Sequence, residues 1–173
     1  MGKPLSGIIT EVSKYIKGWS GGGKETPCGF GSRVDQTRVQ REWIPRMVEK
    51  YDIRSISDIG AGDLNWLPLI EWPHSVDYKA FDLVPRVSCV ERFDIIYQTP
   101  KPVDCLLCLW VLNHLPENHA ERALANLRAS GSKYLIYTWW PAMADFLDLG
   151  AIDSTVMRVN GKGTQFEIRI IEC

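Results

Sequence analysis

The chain has no run of 18 or more apolar residues, so it offers no segment of the length that a membrane-spanning helix requires. It also lacks a surplus of either charge. The 20 Lys and Arg residues stand against 21 Asp and Glu, a net charge of −1, and the basic residues are scattered rather than drawn into a stripe that could track a phosphate backbone. A long nucleic acid is therefore not the favoured partner. Histidine is scarce, at three residues, and the five cysteines are odd in number and without framework spacing, which fits reduced thiols rather than a disulfide scaffold. Cys105 and Cys108 spell C-x-x-C, but they lie in one apolar run where residues three apart point to opposite faces of a strand. No second Cys or His pair completes a zinc site, so no metal is expected. The N-terminus has no basic-then-apolar leader pattern, and the expected location is cytoplasmic. At 173 residues the chain fits one domain, with residues 1–50 forming N-terminal helices and a possible lid, and residues 51–173 forming a core.

What is present is concentrated near residue 60. Asp58-Ile59-Gly60-Ala61-Gly62-Asp63 follows an apolar strand end, and the two glycines lack Cβ atoms, so the turn can be tight and a ligand can lie against backbone. About 20 residues on, the run Tyr78 to Phe81 ends in Asp82, where a carboxylate can accept both hydroxyls of a ribose. A dinucleotide fingerprint needs Gly or Ala at Asn65, and Asp63 would repel a pyrophosphate at the helix N-terminus. S-adenosylmethionine has a ribose, an amine and a sulfonium but no phosphate, and Asp58 could hold its amine through the backbone or a water. That cofactor fits the turn better than NAD.

With these pieces the chain resembles the class I S-adenosylmethionine-dependent methyltransferases. Asp58-Ile-Gly60-Ala-Gly62 matches their first motif, although Leu64 replaces its third glycine, and Asp82 matches the acid ending their second strand. The resemblance places Asp94 against the adenine amine and assigns Asp104 to Pro116 to the fourth strand and the start of the next helix. The cofactor set it implies is Asp58, Gly60, Gly62, Asp63, Asp82, Leu83, Asp94, Ile95, Leu109 and Trp110. The extended Gly-Asp-x-Asn-Trp, with Gly29-Phe-Gly31-Ser32 and Arg41-Glu-Trp43-Ile-Pro45, is similar to a small group of bacterial and phage methyltransferases of poorly defined substrate. The likeness spans roughly residues 28–140.

Along the chain, Leu5 to Ile16 has the apolar spacing of an amphipathic helix. The glycine-rich stretch 18–31 reads equally as a linker or as a mobile lid carrying Trp19 and Phe30. Ser32 is expected to cap a helix running to about Tyr51. Strands then fall near 55–59, 78–82, 92–96, 103–109 and 133–139, with helices at 64–71, 116–129 and 142–149. Two closing strands, near 152–159 and 164–171, flank the turn Asn160-Gly161-Lys162-Gly163. Alternation of this kind predicts an α/β fold with a mostly parallel sheet and an antiparallel addition. The resemblance implies a Rossmann-like sheet ordered 3-2-1-4-5-7-6 with helices on both faces.

Transfer of a methyl group from a sulfonium needs alignment first, and a base only where the acceptor must lose a proton. His114, just after the fourth strand, is the candidate base, against the plainer reading of a helix-start residue bonded to a loop. Trp110, Trp139 and Trp140 stand at strand ends and join Trp19 and Phe30 as candidate pocket residues. Since neighbouring strand residues face opposite ways, one of Trp139 and Trp140 should face the site. Leu109-Trp110-Val111-Leu112 stands where amino-methylases of nucleic-acid bases carry Asp/Asn-Pro-Pro-Tyr/Phe, which argues against a flipped base as acceptor. Three readings remain: methyl transfer to a small molecule or glycan, a non-catalytic cofactor-binding or accessory protein, and a nicotinamide-dependent oxidoreductase. The acceptor and the oligomeric state are not legible.

Overall fold

The computed structural model describes residues 23–143, 149–159 and 163–173. The expected helix at Leu5 to Ile16, Trp19, the first part of the glycine stretch and residues 160–162 of the closing turn lie outside the described residues. Seven strands form one sheet: β1 (Ser55–Ile59), β2 (Asp77–Asp82), β3 (Val90–Arg92), β4 (Cys105–Cys108), β5 (Tyr134–Trp139), β6 (Asp153–Val159) and β7 (Gln165–Glu172). Their order is β3-β2-β1-β4-β5-β7-β6. Strands β1 to β5 pair in parallel, and β7 runs antiparallel to both β5 and β6. Because β7 is reversed, it begins at the end of the sheet where the parallel strands finish, next to Trp139 at the end of β5.

The middle strands are buried on both faces, and their apolar runs read accordingly. Leu106, Cys108, Leu135 and Tyr137 pack on one side with Ala123, Leu124 and Leu127 of helix α2 (Glu117–Ala129). Cys105, Leu107 and Ile136 pack on the other with Trp43, Ile44, Met47 and Val48 of helix α1 (Arg38–Lys50). Cys105 and Cys108 thus enter opposite layers, and burial pushes both thiols far above the ordinary cysteine range. At the amino ends of the strands, Asp104 ties three of them together. Its Oδ2 accepts from the Arg54 and Ser55 amides and the Ser55 hydroxyl, each at 3.0 Å, and its Oδ1 accepts from Lys133 Nζ at 2.7 Å. The lysine bond, ahead of these others, holds this carboxyl at about 2.

Three expectations need correction. The helix anticipated at 64–71 is a single 3-10 turn, Leu67–Leu69, because Leu64 adopts φ 58 and Pro68 and Pro73 deny the backbone donors and geometry that a longer helix requires. The third strand stops at Arg92 rather than continuing to 96: Asp94 turns the chain instead, its carbonyl accepting from Tyr97 N at 3.1 Å and Gln98 N at 2.9 Å, and its carboxylate from Ile96 N at 3.0 Å. Ser32 does not cap a helix. It closes the 3-10 turn Phe30–Ser32 and donates to Cys28 O at 3.3 Å, while α1 starts only at Arg38. The segment after Trp140 opens as the 3-10 turn Pro141–Met143, and residues 144–148 lie outside the described residues.

Candidate active site

A cavity of about 720 Å³ opens at the carboxyl ends of β1, β2 and β4, where an open α/β sheet collects ligands. It is walled by the turn after β1, the segments after β2 and β3, the turn after β4, Trp140 and the start of β7. The 28–32 stretch supplies a further wall.

The turn after β1 is shaped by close approach. Gly60 has φ 91, and a Cβ there would stand 2.1 Å from Val111 Cγ2. Its amide and that of Ala61 both donate to Phe81 O, at 2.7 and 3.0 Å, which binds the turn to the end of β2. Gly62 has φ 63, and its missing Cβ leaves room for Cys28, whose Sγ would lie 2.8 Å away. Leu64 takes φ 58 without being glycine, a conformation that costs an L-residue about 1–2 kcal/mol. Trp110 shares that strain at φ 58, and its amide donates to Thr138 Oγ1 at 3.0 Å across β4 and β5. Of these two strained residues Trp110 lines the cavity, and Leu64 lies two residues beyond its glycine turn.

Asp82 is the best-positioned polar group. Its Oδ2 accepts from Gly62 N at 2.9 Å and its Oδ1 from Val84 N at 2.8 Å. Both oxygens are fixed in orientation, and each retains a lone pair for a further donor. Asp58 lies deeper at the end of β1 and accepts a hydrogen bond from the Tyr78 hydroxyl of β2. Burial pushes its carboxyl up to about 7, the Tyr78 bond opposes that rise, and the charge of Asp82 adds to it. A cation placed beside Asp58 would restore its ionised form.

The cavity collects most of the anticipated residues. Asp58, Gly60, Gly62, Asp82, Leu83, Asp94, Ile95, Leu109, Trp110, His114, Phe30 and Trp140 all line it. Two do not. Asp63 stays outside the lining and accepts from Asn65 N at 3.3 Å, closing a local turn. Trp139 is buried in the core layer beneath α2, with the Arg169 guanidinium 3.5 Å from its ring centroid, and Trp140 is the one that faces the cavity. His114 ends the 3-10 turn Leu112–His114, donating its amide to Val111 O at 3.0 Å.

Sequence reasoning passed over Cys28, Arg86, Thr164 and Phe166, all of which line the cavity. It also missed the part played by Asn65. Its Nδ2 donates to Glu25 Oε1 at 2.8 Å and to Ser32 O at 3.0 Å, while Val34 N donates to the same Glu25 oxygen at 2.7 Å. Asn65 therefore docks the 25–34 segment onto the glycine turn. The cue was available in the Gly-Asp-x-Asn-Trp run, but its partner lay 40 residues upstream. Burial raises the Cys28 thiol to about 11, with the nearby Asp63 charge adding to the effect.

No protein-family model matches the chain, and no curated protein matches it either. Solved structures do. The chain is similar to N-methyltransferase NodS from Bradyrhizobium japonicum, determined with S-adenosyl-L-homocysteine, at 13% identity and TM-score 0.68, with 94% of this chain and 97% of that one covered. It is similar to the 1,6-didemethyltoxoflavin-N1-methyltransferase of Burkholderia thailandensis, bound to its acceptor and S-adenosylhomocysteine, at 14% identity and TM-score 0.69, covering 99% and 91%. It also resembles magnesium protoporphyrin IX methyltransferase from Synechocystis at 14% identity and TM-score 0.55, covering 78% and 80%. At such identities the likeness establishes architecture: the chain carries the Rossmann-like, seven-stranded fold of these methyltransferases.

Proposed function

We propose that the protein binds S-adenosylmethionine in this cavity and transfers its methyl group to a small-molecule acceptor. The observation that carries the reading is Asp82, a carboxylate held by two backbone amides with acceptor capacity left over, 20 residues beyond a glycine turn it also braces. A ribose presents two adjacent hydroxyls that such a carboxylate matches. The cavity residues fit the rest of this cofactor. Asp58, uncharged in part near pH 7 when alone, suits the cationic amine, and Asp94, at the turn after β3, suits the adenine amine. Leu83, Ile95 and Leu109 supply apolar contact, and among the described residues the wall has no cluster of cations for a pyrophosphate. Bound there, S-adenosylmethionine supplies an electrophilic methyl on a sulfonium. The solved structures of similar fold include enzymes determined with this cofactor or its product.

The chain's own residues would then do three things. The 25–34 segment, docked by Asn65, excludes water from one side of the cavity. The aromatic residues at the β4, β5 and β7 ends hold the acceptor, and alignment of this kind can supply roughly 7–11 kcal/mol of the barrier. His114 takes the proton from an acceptor that must lose one.

Asp82→Ala should weaken S-adenosylhomocysteine binding by about 1.5–3 kcal/mol in calorimetry, the scale for hydrogen bonds to a charged group. A 2′,3′-dideoxy analogue should bind the wild-type protein weakly and lose little more on the same substitution. Equal losses for both ligands would place the ribose elsewhere.

A further inference from the structure

The cavity is chemically divided. Among the described residues that line it, Asp58, Asp82 and Asp94 belong to the ends of β1, β2 and the turn after β3, and Arg86 follows β2. On the side formed by the ends of β4, β5 and β7, His114 is the one ionisable residue among them, with Asn113 and Thr164 adding neutral polar groups. That side is instead built of rings. Phe166, at the start of β7, packs against Trp110 with centroids 5.6 Å apart and planes at 43°, and against Trp140 with centroids 5.5 Å apart and planes at 58°. The three rings come from three different strand ends and share one wall. The opposite segment reaches them too: the space a Cβ would take on Gly31 lies 3.7 Å from the Trp110 indole.

Resting on the methyl-transfer reading, we infer that the Trp110–Phe166–Trp140 wall is the acceptor subsite, and that it takes a flat, uncharged, ring-containing molecule. Tilted rings in mutual contact offer faces and edges to a planar guest, which gains from stacking as well as from burial of its apolar area. A carboxylate or phosphate on the acceptor would find no guanidinium or ammonium group among the described residues on this side, and would lose its hydration without compensation. A saturated ring of equal size would fill the volume but forgo the stacking. Phe166 is the residue that sets this selectivity, since it touches both tryptophans and joins them into one surface.

The test uses protein saturated with S-adenosylhomocysteine and three probes titrated by calorimetry. These are quinolin-2(1H)-one, which is flat and neutral, octahydroquinolin-2-one, which is saturated and neutral, and quinoline-6-carboxylate, which is flat and anionic. The flat neutral lactam should bind, and each of the others should bind at least about threefold more weakly. Phe166→Leu and, separately, Trp140→Leu should weaken the flat lactam by about threefold to tenfold with S-adenosylhomocysteine affinity unchanged, and Phe166→Tyr should restore it. Three probes of equal affinity, no binding by any of them, or full retention in both leucine variants would overturn the assignment. A fall in S-adenosylhomocysteine affinity that matches the fall for the lactam would make Phe166 structural and overturn it as well. If S-adenosylhomocysteine does not bind at all, the methyl-transfer reading fails, and the same three-probe comparison on the protein alone still decides whether the aromatic wall selects flat neutral molecules.

Discussion

Replacing Gly60 by alanine tests how the turn after β1 is built. Two effects add. At φ 91 any side chain meets backbone strain, on the order of 1–3 kcal/mol. The new Cβ would also stand 2.1 Å from Val111 Cγ2, well inside van der Waals contact, and forcing a methyl into a packed site costs typically ~1–3 kcal/mol. Together Gly60→Ala should destabilise the fold by about 2–6 kcal/mol, a large share of a typical stability of ~5–15 kcal/mol. The two terms can be separated. Val111→Ala removes the clashing Cγ2, so in the double variant the overpacking should vanish while the strain remains, giving a favourable coupling of about 1–3 kcal/mol. Urea unfolding of wild type, both single variants and the double variant yields that coupling directly, with the midpoint read at constant slope. Additive effects within about 0.5 kcal/mol would show that Val111 does not press on Gly60, and the packing of this turn would have to be reconsidered.

Three other expectations concern the same cavity. Asp58, at 3.8 in an unfolded chain and about 7 when buried in the ligand-free fold, favours folding while protonated. Stability should thus be fully present below about 4 and decline as pH rises through 7, on the order of 4 kcal/mol in all. Asp58→Asn should flatten the thermal midpoint over that window. The same substitution should remove a rise in S-adenosylhomocysteine affinity between pH 6 and 8, because the ligand's amine favours the ionised carboxylate. Asn65→Ala should release the 25–34 segment, seen as faster amide exchange at Glu25 to Val34 with β1 and β4 unaffected, whereas unchanged exchange would leave the segment held by other contacts. For an acceptor that loses a proton, His114→Ala should lower turnover roughly 10²–10⁴-fold with cofactor affinity kept, and full turnover or an unfolded variant would make His114 structural.

The parts of this fold that could be read from sequence are those in which a residue's neighbours in the chain decide its environment. The apolar runs of β1, β4 and β5 need no partner to be recognised, since strands covered on both faces are continuous in character. Helix α2 follows from its spacing of Ala120, Ala123, Leu124 and Leu127. Asp58, Gly60, Gly62 and Asp82 were legible because one short turn and a fixed offset bring them together. What could not be read depends on register between distant segments. Phe166 joins the cavity only because β7 is reversed and its start pairs beside Trp139. Tyr78 reaches Asp58 across the β1–β2 ladder, and Asn65 reaches Glu25 over 40 residues. Asp94 looked like strand because its flanks are apolar, while its side chain, bonding to Ile96 N, makes the turn that ends β3.

The most direct measurement is a calorimetric titration of the unmodified protein near pH 8 with S-adenosylhomocysteine and, in parallel, with NAD. The oriented Asp82 carboxylate, the bare glycine turn and an ionised Asp58 together predict one site per chain of micromolar affinity for S-adenosylhomocysteine and no heat of binding with NAD. Saturable binding of NAD without binding of S-adenosylhomocysteine would contradict the account.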